Sequence, residues 1–158
     1  MENMTVCKVK LPAIVAFAIG LLMITSCRIT LVPPYDAAIM EHIEETAKAV
    51  DKFYLMMLET SSNADGGRDF ENFAAGYVKV EVELNSLLNK NKIRPLNENT
   101  VRICEITLEL WIKRKEEHRT DNELSDGLIK LNRKTFEDLF FAMQVAEKSK
   151  EIISNPPN

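Results

Sequence analysis

The sequence predicts an all-α protein: an up-down-up-down four-helix bundle behind an N-terminal export-type segment. Three observations predict it. Four stretches repeat apolar residues at alternating three- and four-residue spacing, which places them on one face of a helix. The links between these stretches are 4–8 residues long, as antiparallel neighbours need. Gly and Pro number only 5 and 6 in 158 residues, too few for a loop-rich or many-stranded β protein. A chain of this length makes one domain. Its 46% apolar and 28% charged residues belong to a globular chain and not a disordered one. A net charge of −4 argues against a binder that works by neutralising nucleic-acid phosphates.

The first segment reads as an address. Lys8 and Lys10 precede residues 11–26, which carry no charge. That stretch is 16 residues long, short of the ~20 that cross a bilayer comfortably. A basic start, a short apolar run and small residues before a cysteine describe an export signal, expected over residues 1–26. Ile24-Thr25-Ser26-Cys27 resembles the lipobox of bacterial lipoproteins, with Ile24 and Thr25 as variants of the commonest residues. The resemblance implies an acylated Cys27 as the first residue of the mature chain, palmitate-type labelling, and a membrane partner held through that lipid. The alternative is an uncleaved signal anchor extended by Ile29 and Leu31. Arg28 after the cysteine is not the acidic residue that favours inner-membrane retention, so a Gram-negative host implies the outer membrane, facing the periplasm. Cys7 leaves with the signal and Cys27 is used by lipid. Cys104 alone remains, and no intramolecular disulfide forms.

Residues 27–35 form a short tether, with Pro33-Pro34 barring helix. The bundle is expected over residues 36–153. Asp36 can cap helix 1, residues 36–60, and positions 39, 43, 46, 50, 53 and 57 give its inner face. Residues 61–67 are a turn by composition. Helix 2 covers about residues 69–90, with Phe70, Phe73, Tyr77, Val80, Leu84 and Leu87 in register and Gly76 a mild cost. Pro95 stops the next link, and Asn97 or Asn99 can cap helix 3, about residues 98–118. Val101, Cys104, Leu108 and Trp111 make one stripe there, and Ile103, Ile106 and Leu110 a second. Thr120 and Glu123 match a capping box and are expected to start helix 4, residues 121–153. Leu124, Leu128, Leu131, Leu139, Ala142 and Ala146 would share its face, beside Phe136, Phe140 and Met143, with Gly127 as a possible kink. Residues 154–158 are expected to be a disordered tail.

Chemistry is sparse. Neither His42 nor His118 has the Glu-x-x-His spacing of a di-iron bundle, and both are expected to face solvent. No metal and no cofactor follows from the pattern. Cys104 and His118 lie fourteen residues apart on one helix, about 21 Å, too far for a dyad. Cys104 reads as a buried small hydrophobe, with a reactive thiol as the alternative. The acids fall on predicted polar faces, so no catalytic residue is assigned and the protein is read as non-enzymatic. Two basic clusters occur: Lys90, Lys92 and Arg94 in a link, and Lys113, Arg114 and Lys115 at the end of helix 3. The candidate interaction surface comprises Trp111, Phe141, Lys113 and Arg114. Phe141 is the aromatic left over once Phe136 and Phe140 face inward.

Tyr35-Asp36 opening helix 1, the Thr46, Val50 and Phe53 stripe, Cys104 on helix 3 and Phe136 on the last helix resemble small helical bacterial lipoproteins. The resemblance implies a fold and an address, with no established activity attached. The expected function is a lipid-anchored envelope module, binding or structural, with an envelope-protein partner, no nucleic acid and no small-molecule substrate. Two alternatives stand beside it: an exclusion or lysis accessory lipoprotein of a phage or mobile element, and a cell-envelope hydrolase using carboxylates.

Overall fold

The computed structural model describes residues 32–60 and 66–154. The expected signal, Cys27 and the end of the tail lie outside them. Four helices follow one another: α1 (Ala37–Thr60), α2 (Phe70–Lys92), α3 (Glu98–Asp121) and α4 (Asp126–Ser154). There is no strand among the described residues. Each helix packs on its two neighbours, most closely α1 on α4 and α2 on α3. The start of α1, the end of α2, the start of α3 and the last turns of α4 meet at one end, which makes the topology up-down-up-down. Among the described residues no helix is long and apolar enough to cross a membrane.

Asp36 caps α1 as expected, its Oδ1 accepting from the amides of Ala38 at 2.9 Å and Ile39 at 3.3 Å. The six predicted inner positions of α1 are all buried. So are those of α2, except the half-buried Phe73. The four helices meet at an aromatic centre. Phe53 and Tyr54 of α1, Tyr77 of α2, Trp111 of α3 and Phe136 of α4 touch edge to face, with Phe53–Trp111 and Trp111–Phe136 centroids 5.2 and 5.5 Å apart. Trp111 Nε1 donates to the Tyr77 carbonyl at 3.1 Å, so its one polar atom is satisfied inside. Gly76 lets α2 come this close: a Cβ there would lie 2.8 Å from the Phe53 ring. That glycine is a packing requirement rather than a tolerated cost.

The α3–α4 boundary corrects the sequence reading. Thr120 bonds back to the Glu116 carbonyl at 2.9 Å, inside α3, and forms no capping box. Asn122 ends α3 in the left-handed conformation, φ 52°, with its amide on the His118 carbonyl. Ser125 then opens α4, its Oγ accepting from the Leu128 amide at 3.3 Å. Gly127 therefore sits in the first turn and kinks nothing. The buried face of α4 runs through Ile129, Asn132, Phe136, Phe140, Met143, Glu147 and Lys150. Leu128, Leu131 and Ala142, expected inside, are exposed. On α3 the buried face is Thr100, Cys104, Thr107, Trp111 and His118, and Ile106 of the expected second stripe is exposed. α4 also extends to Ser154, one residue into the expected tail.

Candidate functional site

Two polar clusters close the bundle, one at each end. At the end where the chain enters, Glu147 is fully buried, and it is the one buried carboxylate among the described residues. Its oxygens accept from Arg94 NH1 and NH2, each at 2.9 Å, from Lys150 Nζ at 2.5 Å and from the Asp36 amide at 2.9 Å. Lys150 also donates to Asn97 Oδ1 at 2.8 Å and Thr100 Oγ1 at 3.2 Å, so all three of its protons have acceptors. Asn97 holds the N-cap position of α3 but turns its side chain inward, donating to the Asn91 carbonyl and side chain instead of capping. Arg94 NH2 reaches the Pro34 carbonyl at 2.6 Å, which fixes the last residues of the expected tether to the α2–α3 link. Burial raises the Glu147 pKa, but the bonds from Arg94, Lys150 and the Asp36 amide outweigh it and hold the carboxyl below its usual range. Burial lowers the Lys150 pKa, and its contact with Glu147 opposes this.

The opposite end is closed by a cluster centred on a neutral histidine, with an Arg68–Asp126 ion pair beside it. His118 is fully buried, with Nε2 2.7 Å from the Arg68 carbonyl and Nδ1 3.1 Å from Tyr77 Oη. A carbonyl only accepts, so Nε2 carries the proton and Nδ1 accepts from the tyrosine hydroxyl. Burial depresses the His118 pKa, partly offset by the Arg68 carbonyl and by the charges of Asp69 and Asp121. Arg68 spans to the start of α4, donating to the Leu124 carbonyl at 3.1 Å and Asp126 Oδ1 at 2.6 Å. Asn122 Oδ1 receives the Phe70 amide at 3.0 Å, so the residue that ends α3 also caps α2.

Both histidines were expected at the surface, and both are buried. His118 continues the α3 inner stripe seven residues beyond Trp111. His42 lies beside Ile43 with Nε2 3.5 Å from Glu83. The expectation that the acids all lie on polar faces fails at Glu147. Trp111, a candidate for the interaction surface, is fully buried in the aromatic centre and belongs to the core. Phe141 is 65% exposed on α4. It borders a groove of about 570 Å³ between α1 and α4, whose rim carries the Asp51–Arg133 ion pair. Lys113 and Arg114 lie on the outside of α3, both beside Glu117. Cys104 is buried near Met143, and burial pushes its thiol up to about 12, which leaves a small hydrophobe and not a nucleophile. Among the described residues no group of three His, Cys, Asp or Glu is placed to hold a metal.

These features define a four-helix bundle with a polar clamp at each end. Comparison with known proteins finds no matching family model, no matching curated protein and no matching solved structure.

Proposed function

We propose that the chain is a lipid-anchored bacterial envelope protein whose bundle serves as a non-enzymatic binding or structural module. The observation that carries this reading is the clamp on Glu147. It grips the segment entering from Cys27 at two points, the Pro34 carbonyl through Arg94 and the Asp36 amide directly. A joint fixed in this way suits a domain held by a lipid on the segment that enters it. The non-enzymatic part draws support from the same residues. A carboxylate hydrolase needs acids with raised pKa values in one pocket, whereas Glu147 is held ionised by two cations. The groove beside Phe141 is the surface this reading assigns to an envelope partner.

Metabolic labelling with palmitate tests the anchor. Wild type is expected to incorporate label and to enter the detergent phase on partitioning, and Cys27→Ala to lose the label. Equal labelling of the two proteins overturns the reading.

A further inference from the structure

The two ends of the bundle differ in what they show to solvent. At the chain-entry end the α2–α3 link presents Ile93, 83% exposed, and Leu96, 49% exposed, on either side of the exposed Pro95. Ile152 and Ile153, in the last turn of α4 just past Lys150, are also exposed. Leu96 holds its side chain out from a left-handed backbone, φ 59°, a conformation that Asn or Gly adopts with less strain. At the opposite end the described link residues, 66–69 and 122–125, expose no large apolar side chain, and the first turn of α4 adds Leu128 alone. Asp69, Asp121, Glu123 and Asp126 stand there against Arg68 and Arg119. An anionic bilayer repels that rim.

We propose that the chain-entry end is a membrane-contact face, with Ile93 and Leu96 as its apolar tip seated in the lipid headgroup layer. This rests on the lipid-anchor reading and adds the bundle's orientation to it. The occupant follows from the chain. Cys27 precedes Val32 by five residues, which reach about 17 Å at most. The uncharged run of residues 11–26 lies immediately before Cys27. Arg94, in the same link as Ile93 and Leu96, is bonded to Pro34, so the tip lies beside the residues by which the chain enters the bundle. A lipid on Cys27 thus brings this end, and not the acidic one, to the bilayer. Lys90 and the ion pair of Lys92 with Glu105 flank the tip, so the net charge there is small and the contact is apolar in the first place.

The test places an environment-sensitive fluorophore on Ile93→Cys or, separately, on Glu123→Cys, in the full chain with Cys7→Ser. The acylated protein is reconstituted into phosphatidylethanolamine–phosphatidylglycerol vesicles. Ile93 is exposed on a right-handed helical backbone, so Cys there leaves the fold intact. Ile153→Cys gives a second position on the same face. The proposal expects lipid-borne quencher to dim the labels at 93 and 153 several-fold more than the label at 123, and aqueous iodide to do the reverse. If iodide reaches all three labels alike while the protein stays on the vesicles, the face is wrong and the anchor stands. If both quenchers are blocked at 93 and 153, a second copy of the protein covers the tip, and the proposal fails. Protein that never joins the vesicles and carries no palmitate overturns the anchor reading itself.

Discussion

At the chain-entry end Glu147 gathers Arg94, Lys150 and the Asp36 amide into an ionic knot around a buried carboxylate. At the far end His118 joins Tyr77 to the Arg68 carbonyl through an uncharged ring. Both clamps tie elements distant in sequence, and both satisfy nearly every polar atom they bury. They differ in what undoes them. Each charge of the first clamp was taken out of water at a cost that only the complete set offsets, so losing one member exposes the rest. The His118–Tyr77 contact carries no such liability, but a proton on His118 turns Nδ1 from an acceptor into a donor facing a hydroxyl. One end is sensitive to mutation, the other to acid.

The comparison breaks most sharply at Glu147. Glu147→Ala leaves Arg94 and Lys150 facing each other without an anion, and a stability loss of about 3–5 kcal/mol is expected by urea denaturation. Arg133→Ala, which removes the exposed partner of Asp51, sets the scale of a surface pair, at about 0–1 kcal/mol. Comparable losses in the two variants would show that the buried knot has no special weight.

Acid addresses the other end. His118 has a folded pKa below its ordinary 6.5, so its contribution is complete above that value and is lost as pH falls through the folded value. Glu147, also depressed, contributes fully above about pH 4.3, the ordinary carboxylate value, and loses its share only further down. Acidification therefore loosens the histidine end first. The urea midpoint of wild type is expected to begin falling just below pH 6.5, and His118→Gln to flatten that limb while the limb near pH 4 persists. An unchanged early limb in His118→Gln would assign the first acid transition elsewhere.

The smallest effect is expected at the apolar tip. Leu96→Asn relieves the left-handed backbone and is expected to raise stability by about 0.5–1 kcal/mol, read as a higher melting temperature. A loss instead would mean that the half-exposed leucine packs against the bundle more than it strains the chain.

What the sequence discloses follows from where apolarity and burial coincide. In α1 and most of α2 they do, and the inner positions from Ile39 to Met57 and from Phe70 to Leu87 are readable by spacing alone. In α4 they part company. Its buried stripe includes Asn132, Glu147 and Lys150, while Leu128 and Leu131 face out. A search for apolar period follows the leucines and arrives a fraction of a turn off. Leu124 adds to this, because it is buried from the link before α4 and not from the helix face itself. The end clamps were invisible for the same reason, since buried polar residues look like surface residues in a sequence. Two hints existed: Glu147 and Lys150 stand three apart in line with Phe136, Phe140 and Met143, and His118 follows Trp111 by one heptad. Neither hint reveals Arg94, which reaches Glu147 from a link 53 positions away.

The grip on Pro34 and Asp36 has a mechanical side. Tension arriving along the leading strand is received by Arg94 and Glu147 before it can unwind the first turn of α1. Those two side chains pass the load to the α2–α3 link and to the final turns of α4, so the bundle resists as a block instead of unzipping from one corner.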